Sequence, residues 1–465
     1  MVTNKKETKK AAPKKSVFVK KPTEAKTAPK EVLVEKSKKT YNLLRGMHDL
    51  LPKEERYWRK AYHTAENLAT HFLFGRIETP VLEEANLFIR SIGKGTDVVD
   101  KEMYLFEDRD GSKVCLRPEA TAAVVRAYIG YGMWNQSQPV KLWYFGSMFR
   151  HDRPQAGRFR EFRQMGFETF GSHDPIMDAE LILVAYNFYK DLGLPVVIRL
   201  NSLGMPEERA RYKAELVNYY RAKKSYLCEE CRNRLTKNPL RLLDCKAEQC
   251  QPVKEEAPQL TDWLANESKN HFVKVLEYLD EVGVPYQLDH TLVRGLDYYT
   301  HTVFEIFTES GEGEGAQSAL GGGGRYDLLV EEMGGRPTPA CGFAVGVERT
   351  IQAIKQYQEK TNTEWPKEPI EVFVAQLGDE GKRVALKVIN NLKVSGIKVG
   401  YNFAKGSLKA QMEIADTMKI PYVLIVGQKE VQDGTVIVRD MESGIQEIVD
   451  QKKLEALLKR KLGKI

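Results

Sequence analysis

Apolar residues recur at helical spacing over residues 54–74, where Tyr57, Trp58, Ala61, Ala65, Leu68 and Phe72 share one side and predict an amphipathic helix. Two later runs alternate with period two instead. Residues 140–150 put Tyr144, Met148 and Arg150 on one face, and residues 157–170 put Arg158, Arg160, Phe162, Gln164 and Glu168 on one face. The basic segment 151–156 between them predicts a hairpin. A short strand over 112–116, a helix over 121–131 after Pro118 and a helix near 179–192 complete this part.

Between 205 and 275 the chain turns charged and helical, with four clustered cysteines. Asn201 to Gly204 offers an exit and Val284-Pro285 a return, so the segment reads as an insertion. Strands are predicted at 286–292 and 299–307, then a glycine-rich break at 311–324 and a helix from near Gly346. Residues 360–368, with Pro366, form a linker. Beyond it strands (371–375, 399–401, 422–426, 434–439) alternate with helices (380–395, 407–418, 450–462), which predicts a small α/β domain with a largely parallel sheet. The expected division is a tail over 1–40, a first domain over 41–204 and 276–359, the insertion 205–275, the linker, and a last domain over 369–465.

Composition adds little to this picture, and charge corrects one impression. With 42% hydrophobic and 29% charged residues the chain has an ordinary soluble composition. No apolar run approaches the roughly 18 residues of a membrane span. The net charge of +7 suggests nucleic acid, but residues 1–40 hold thirteen Lys and four Glu, a net of +9, and the remainder sums to −2. Any basic surface in the folded part must therefore be local. The tail buries too little apolar surface to order itself. It has neither the apolar core of a secretory signal nor the arginines of a mitochondrial presequence. It reads as a solvated segment, or alternatively as an arm that binds RNA without sequence preference.

Several short stretches could carry chemistry, each with a plainer reading beside it. Arg117 to Thr121 places Glu119 just before a helix, where a carboxylate also serves simply as a dipole partner. Arg150 and Arg158 bracket the basic loop; they are a solvated turn or a pair converging on one phosphate, which guanidinium binds bidentately. With Gln164 and Glu168 deeper in, the hairpin suits a polyanion at one end and an ammonium at the other, as ATP and an amino acid present. Leu292 to Thr300 is either core, with Arg294 paired to Asp297, or a pocket wall with Arg294 reaching inward. The run 319–327 reads as glycines opening a helix, and its spacing matches neither a P-loop nor a dinucleotide fingerprint. Arg349 falls in the first turn of a helix, where a cation is unfavourable without an anion beside it. Cys228, Cys231, Cys245 and Cys250 have the spacing of a four-thiolate zinc site, with four reduced thiols as the alternative.

Taken in order, these peptides resemble class II aminoacyl-tRNA synthetases, and specifically the histidyl-tRNA synthetase family, from about Leu44 to the C-terminus. Gly46 to Pro52 resembles the family's start, Phe149 to Glu168 its motif 2, and Gly342 to Arg349 its motif 3. Leu292 to Thr300 and Gly321 to Asp327 resemble the two peptides characteristic of the histidine enzyme. The resemblance implies an α/β chain: an α+β catalytic domain of antiparallel sheet with flanking helices, a helical insertion and a C-terminal α/β anticodon-binding domain. It also implies a homodimer, cytoplasmic and without membrane association, that joins L-histidine to tRNA(His).

Carried over by position, Arg150 and Arg294 are the expected catalytic groups, and Arg150, Arg158 and Arg349 the ATP-binding ones. Glu119, Ala120, Thr121, Arg150, Gln164, Glu168, Arg294, Tyr298 and Tyr299 are expected at histidine. Arg153 and Gln155 are expected at the acceptor end of the tRNA. Ala120 stands where many bacterial relatives carry Gly. Mg²⁺ is expected with ATP, its ligands not distinguished by spacing, and zinc does not come with the resemblance. Two competing readings are a regulatory paralogue serving histidine biosynthesis and an RNA-binding stress-signalling module. The first lacks the C-terminal domain and has eroded ATP-binding arginines; the second loses pocket residues and carries a fused domain.

Overall fold

The computed structural model describes residues 41–93, 96, 98–152, 157–296, 298–309, 319–365 and 370–464. The tail 1–40, Asp297, Arg153, Gln155, Pro366 and most of the glycine-rich break lie outside the described residues. Contacts divide the chain into Met1–Leu44 and Arg45–Ile465. Of the first unit, residues 41–44 are described and carry no regular element; the second holds every element below.

Among the described residues, eight strands form the main sheet. Its order is Gly75–Arg76, Val140–Phe149, Glu161–Phe170, Ala340–Gly346, Gly321–Arg325, Thr300–Thr308, Val196–Ser202, Tyr286–Leu288. Only the two edge pairings are parallel, so the sheet is antiparallel through its centre. Alternation sorts its side chains onto two cores. Trp143, Phe167, Phe304 and Phe343 point to one face, which is covered by the helices Glu55–His71, Ile176–Asp191, Asn266–Glu281 and Val347–Thr361. Tyr144, Met148, Phe170 and Val303 point to the other, beside the helix Thr121–Gly130 and the insertion.

The first helix follows its apolar stripe: Tyr57, Trp58, Ala61, Ala65 and Leu68 are all buried. The hairpin needs one correction. Its second strand begins at Glu161, so Arg158 and Arg160 precede it and do not share its alternation. A second correction concerns the glycines. Gly321–Arg325 is a central strand, not the opening of a helix. It is packed so closely that a Cβ at Gly323 would lie 2.1 Å from the Gly342 carbonyl oxygen.

The insertion runs through the helices Pro206–Ala222, Glu229–Lys237 and Gln251–Glu255 with short 3₁₀ turns between them. Helix Asn266–Glu281 continues past residue 275 and places Phe272, Val275 and Leu279 in the first core. The expected boundary at 275 therefore falls inside an element. A small sheet of Leu82–Glu84, Lys113–Leu116 and Leu105–Glu107 was foreseen only at its middle strand.

The C-terminal sheet has the order Val399–Tyr401, Val372–Gln376, Tyr422–Val426, Thr435–Asp440, Gln446–Asp450. Its first three strands are parallel and its last two antiparallel, so the expectation of a largely parallel sheet is corrected. The reason is length: helix Gln428–Asp433 is too short for a parallel crossover, which takes at least about 10 residues. No helix among the described residues is long and apolar enough to cross a membrane.

Candidate active site

A cleft of about 450 Å³ opens over the hairpin strands. Glu119, Thr121, Arg150, Arg158, Gln164, Arg294, Tyr298, Tyr299 and Arg349 all line it, drawn from segments 230 residues apart in sequence at the extremes. Two other expected residues do not face it. Ala120 is buried in the second core as the residue preceding helix Thr121–Gly130, and Glu168, on the same strand face as Gln164, is fully buried between Thr121 and Tyr326. Arg153 and Gln155 lie outside the described residues.

One end of the cleft is rich in acceptors. The Glu119 carboxylate takes the backbone N–H groups of Thr121 at 2.7 Å and Ala122 at 2.9 Å, so it caps the helix as well as facing the cleft. Burial raises its proton affinity, against the pull of those two hydrogen bonds. Thr121 Oγ1 donates to Glu168 Oε1 at 2.7 Å, and the Tyr326 hydroxyl donates to Glu168 Oε2. Burial pushes the Glu168 carboxyl up to about 8.

Its position also explains a neighbour. A Cβ at Gly342, directly opposite in the adjoining strand, would lie 1.7 Å from Glu168 Oε2. Tyr298 and Tyr299 close the wall with ring centroids 4.6 Å apart, and Tyr326 stands edge-on to Tyr298. Gln164 Oε1 is buried and has no hydrogen-bond partner among the described residues. Such a set suits donors, as an ammonium or the N–H groups of an imidazole would supply.

The other end gathers cations. Arg150 is fixed by its Nε, which donates to the Pro118 carbonyl at 2.9 Å, and its guanidinium lies over the Phe162 ring. Arg158 pairs with Asp152 at 3.0 Å. Arg349 donates to the carbonyls of Gly157 and Ala319, at 3.2 and 2.9 Å. Its pKa is lowered by burial and further by the charges of Arg158 and Arg150. Three guanidiniums thus converge on one space, and an anion there would relieve their repulsion.

Arg294 sits between the two ends. It donates to Glu305, lies over the Tyr299 ring at 5.5 Å, and keeps a buried Nε with no partner among the described residues. A Cβ at Gly322 would come within 2.8 Å of Arg294 Nη1, which gives that glycine a steric reason.

Sequence reasoning did not find Tyr326, Glu305, Arg241 or Asp244. The first two follow glycines or sit mid-strand among apolar residues, and the last two reach the cleft from the insertion. Tyr326 lies within the peptide 321–327 singled out in the sequence, but nothing in that peptide marked it as the partner of Glu168. The four clustered cysteines do come together, all Sγ atoms lying within 4.8 Å of one another.

Comparison with known proteins places this geometry. The profile of the histidyl-tRNA synthetase family matches residues 46–350, and that of the anticodon binding domain matches residues 371–461. A histidine–tRNA ligase of Dehalococcoides mccartyi is 43% identical over 423 residues, covering 91% of this chain and all of that protein. One from Aquifex aeolicus is 44% identical over 404 residues, covering 87% of this chain and 97% of the relative. The crystal structure of ligand-free S. aureus histidyl-tRNA synthetase is similar with a TM-score of 0.74 and 34% identity, covering 90% of this chain and all of that one.

Proposed function

The chain belongs to the histidyl-tRNA synthetase family and is a histidine–tRNA ligase, and from that premise we propose how its cleft carries the reaction. The phosphates of ATP lie among Arg150, Arg158 and Arg349. The ammonium and imidazole of histidine face Glu119, Thr121, Gln164 and the two tyrosines, with Glu168 bonded to Thr121. Arg294 stands at the junction. The observation that carries this reading is the convergence of three guanidiniums at one end of a cleft whose other end holds buried acceptors.

In this reading the histidine carboxylate attacks the α-phosphorus in line, a P–O bond to histidine forms, and the bond to pyrophosphate breaks. The nucleophile is already anionic, so no general base is needed. Rate then comes from positioning and from charge stabilisation by Arg150 and Arg294. Glu305 and Glu348 line the same cleft and carry hard oxygen donors, Glu305 already accepting from Arg294 and Glu348 from the Arg163 N–H, and we propose that their remaining lone pairs would hold Mg²⁺. When bound, the ion would supply further neutralisation of phosphate charge.

The activated histidine passes to the 3′ end of tRNA(His). Arg153 and Gln155 are proposed at that end, and residues 371–461 at the anticodon. A homodimer in the cytoplasm completes the proposal. The regulatory-paralogue reading is disfavoured by the presence of the anticodon binding domain and of Arg150 and Arg349.

Charging of a tRNA(His) transcript with labelled histidine tests the assignment. Folded protein that fails to charge it would overturn the reading. Gln155→Ala is expected to slow charging while adenylate formation continues, and unchanged charging would remove Gln155 from its role.

A further inference from the structure

The insertion contains a cage that the reaction does not use. Cys228 and Cys231 flank the start of helix Glu229–Lys237, while Cys245 and Cys250 return from the turns that follow. All four Sγ atoms lie within 4.8 Å of one another, and Cys228 Sγ is 3.8 Å from Cys245 Sγ. That separation is far beyond a disulfide, whose sulfurs sit about 2.05 Å apart, and all four are free thiols. It is the separation tetrahedral geometry gives two thiolates each about 2.3 Å from one zinc ion, roughly 3.8 Å. An iron–sulfur cluster, with several metal and sulfide atoms between its cysteines, needs a wider cage.

Backbone donors point the same way. Cys228 N–H donates to Cys250 Sγ at 3.2 Å, Cys231 N–H to Cys228 Sγ at 3.4 Å, and Ala247 N–H to Cys245 Sγ at 3.4 Å. Three N–H groups are thus aimed at three of the four sulfurs, as the groups around metal-ligating atoms commonly are. The chain around the cage packs Leu227, Leu235, Leu242, Leu243 and Val253 into the second core but has little regular structure of its own. Between residues 223 and 256 its longest element is the helix Glu229–Lys237, the rest being single turns. Short, irregular modules of this kind are commonly fixed by a metal or by disulfides.

The cage has a consequence for the cleft. Cys231 and Cys245 bracket the turn Pro239–Leu242, and Arg241 and Asp244 from this stretch line the cleft wall. Leu242 and Leu243 are buried in the same core as Cys231, Cys245 and Cys250. Anchoring the sulfurs therefore anchors the turn.

We propose that Cys228, Cys231, Cys245 and Cys250 bind one Zn²⁺ as thiolates, and that the ion holds Arg241 and Asp244 in the cleft wall. Each cysteine gives up its thiol proton to solvent on binding, and no redox change occurs. That the wall belongs to a histidine–ATP cleft rests on the function proposed above; the metal site itself does not.

The test is elemental analysis of the full-length protein purified without chelator. One equivalent of zinc per chain is expected, falling at least tenfold in a Cys245→Ser, Cys250→Ser variant. Because loss of buried thiols can itself unfold the segment, wild-type protein is also titrated with a mercurial, which should release the zinc as these thiols react. Less than one-tenth equivalent after exposure to zinc, or iron or copper in its place, overturns the site. Trypsin cleavage after Arg241 reads the second half: stripping the metal should accelerate it at least tenfold, and restoring zinc should reverse it. Unchanged cleavage overturns the anchoring role. Neither readout involves histidine, so loss of the ligase reading would leave both interpretable.

Discussion

Thr121 Oγ1 donates to Glu168 Oε1 at 2.7 Å, joining the first residue of a helix to a carboxyl buried in the centre of the main sheet. The pair links a residue that lines the cleft to a buried one that does not. With Tyr326 on the other oxygen, Glu168 is an acceptor whose both lobes are fixed before any ligand arrives. Preorganisation of this kind is what lets a site discriminate between similar side chains, since a ligand lacking the matching donor leaves a buried polar group unpaired.

The protonation of Glu168 gives the first prediction. Its carboxyl titrates at about 8 in the folded protein against 4.5 for an ordinary Glu. Between those values the unfolded chain binds fewer protons, so stability falls as pH rises. The contribution is intact below the lower value and lost as pH passes the upper one. Glu168→Gln removes this slope, so its melting temperature relative to wild type should climb by several degrees from pH 5.5 to pH 8.5, about 1 kcal/mol being worth roughly 2–4 °C in a larger domain. Glu348, pushed up to about 7, is present in both proteins and cancels in the difference. A difference flat with pH in ligand-free melts would contradict the assignment.

Tyr326→Phe removes one hydroxyl and nothing else. With the Glu168 carboxyl raised to about 8 and so neutral at pH 7, the lost bond is worth about 0.5–1.5 kcal/mol, and KM for histidine should rise roughly 2- to 13-fold while KM for ATP moves little. Steady-state exchange kinetics at varied histidine and ATP separate the two. An equal shift in both constants would place Tyr326 in general structure instead.

The crowded guanidiniums give a third prediction. Pyrophosphate should raise the melting temperature of the wild-type protein, and less so as salt is added, because partly exposed charges are screened. In Arg349→Gln the protection should shrink by roughly 1.5–3 kcal/mol of binding, the value of a charge-assisted contact. Calorimetric titration with pyrophosphate measures it directly. Equal affinity in the two proteins would remove Arg349 from the phosphate site.

Gly342→Ala tests the packing around Glu168. The new Cβ would lie 1.7 Å from Glu168 Oε2, so the carboxylate or the strand must move. Overpacking of this kind costs about 1–3 kcal/mol, and histidine activation should fall more steeply than stability. Unimpaired histidine KM in a stable variant would show that Glu168 does not need its present position.

Much of this site was legible in the sequence because its residues sit on regular elements. Period-two alternation groups Gln164 with Glu168 on one face of its strand, and the helix start at Thr121 puts Glu119 just before it. Arg158 was placed correctly at the cleft but for the wrong reason, since the strand begins only at Glu161. What could not be read depended on contacts between distant segments. Glycine has weak strand propensity, so Gly321–Arg325 looked like a break, although close neighbours on both sides leave no room for larger residues. Glu305 became the partner of Arg294 only through strand pairing, and nothing local in the insertion marks Arg241 or Asp244 as cleft residues.

The central claim, that this cleft joins histidine to the α-phosphate of ATP, is tested most directly by histidine-dependent exchange of labelled pyrophosphate into ATP. Wild-type protein should catalyse the exchange, with no stimulation by other amino acids. Arg294→Ala should retain a cooperative melt and lose at least about 100-fold in rate, in keeping with the roughly 2.7–4 kcal/mol that one charge-stabilising donor supplies to a transition state. Absence of exchange from folded wild-type protein, or full exchange in Arg294→Ala, would contradict the account.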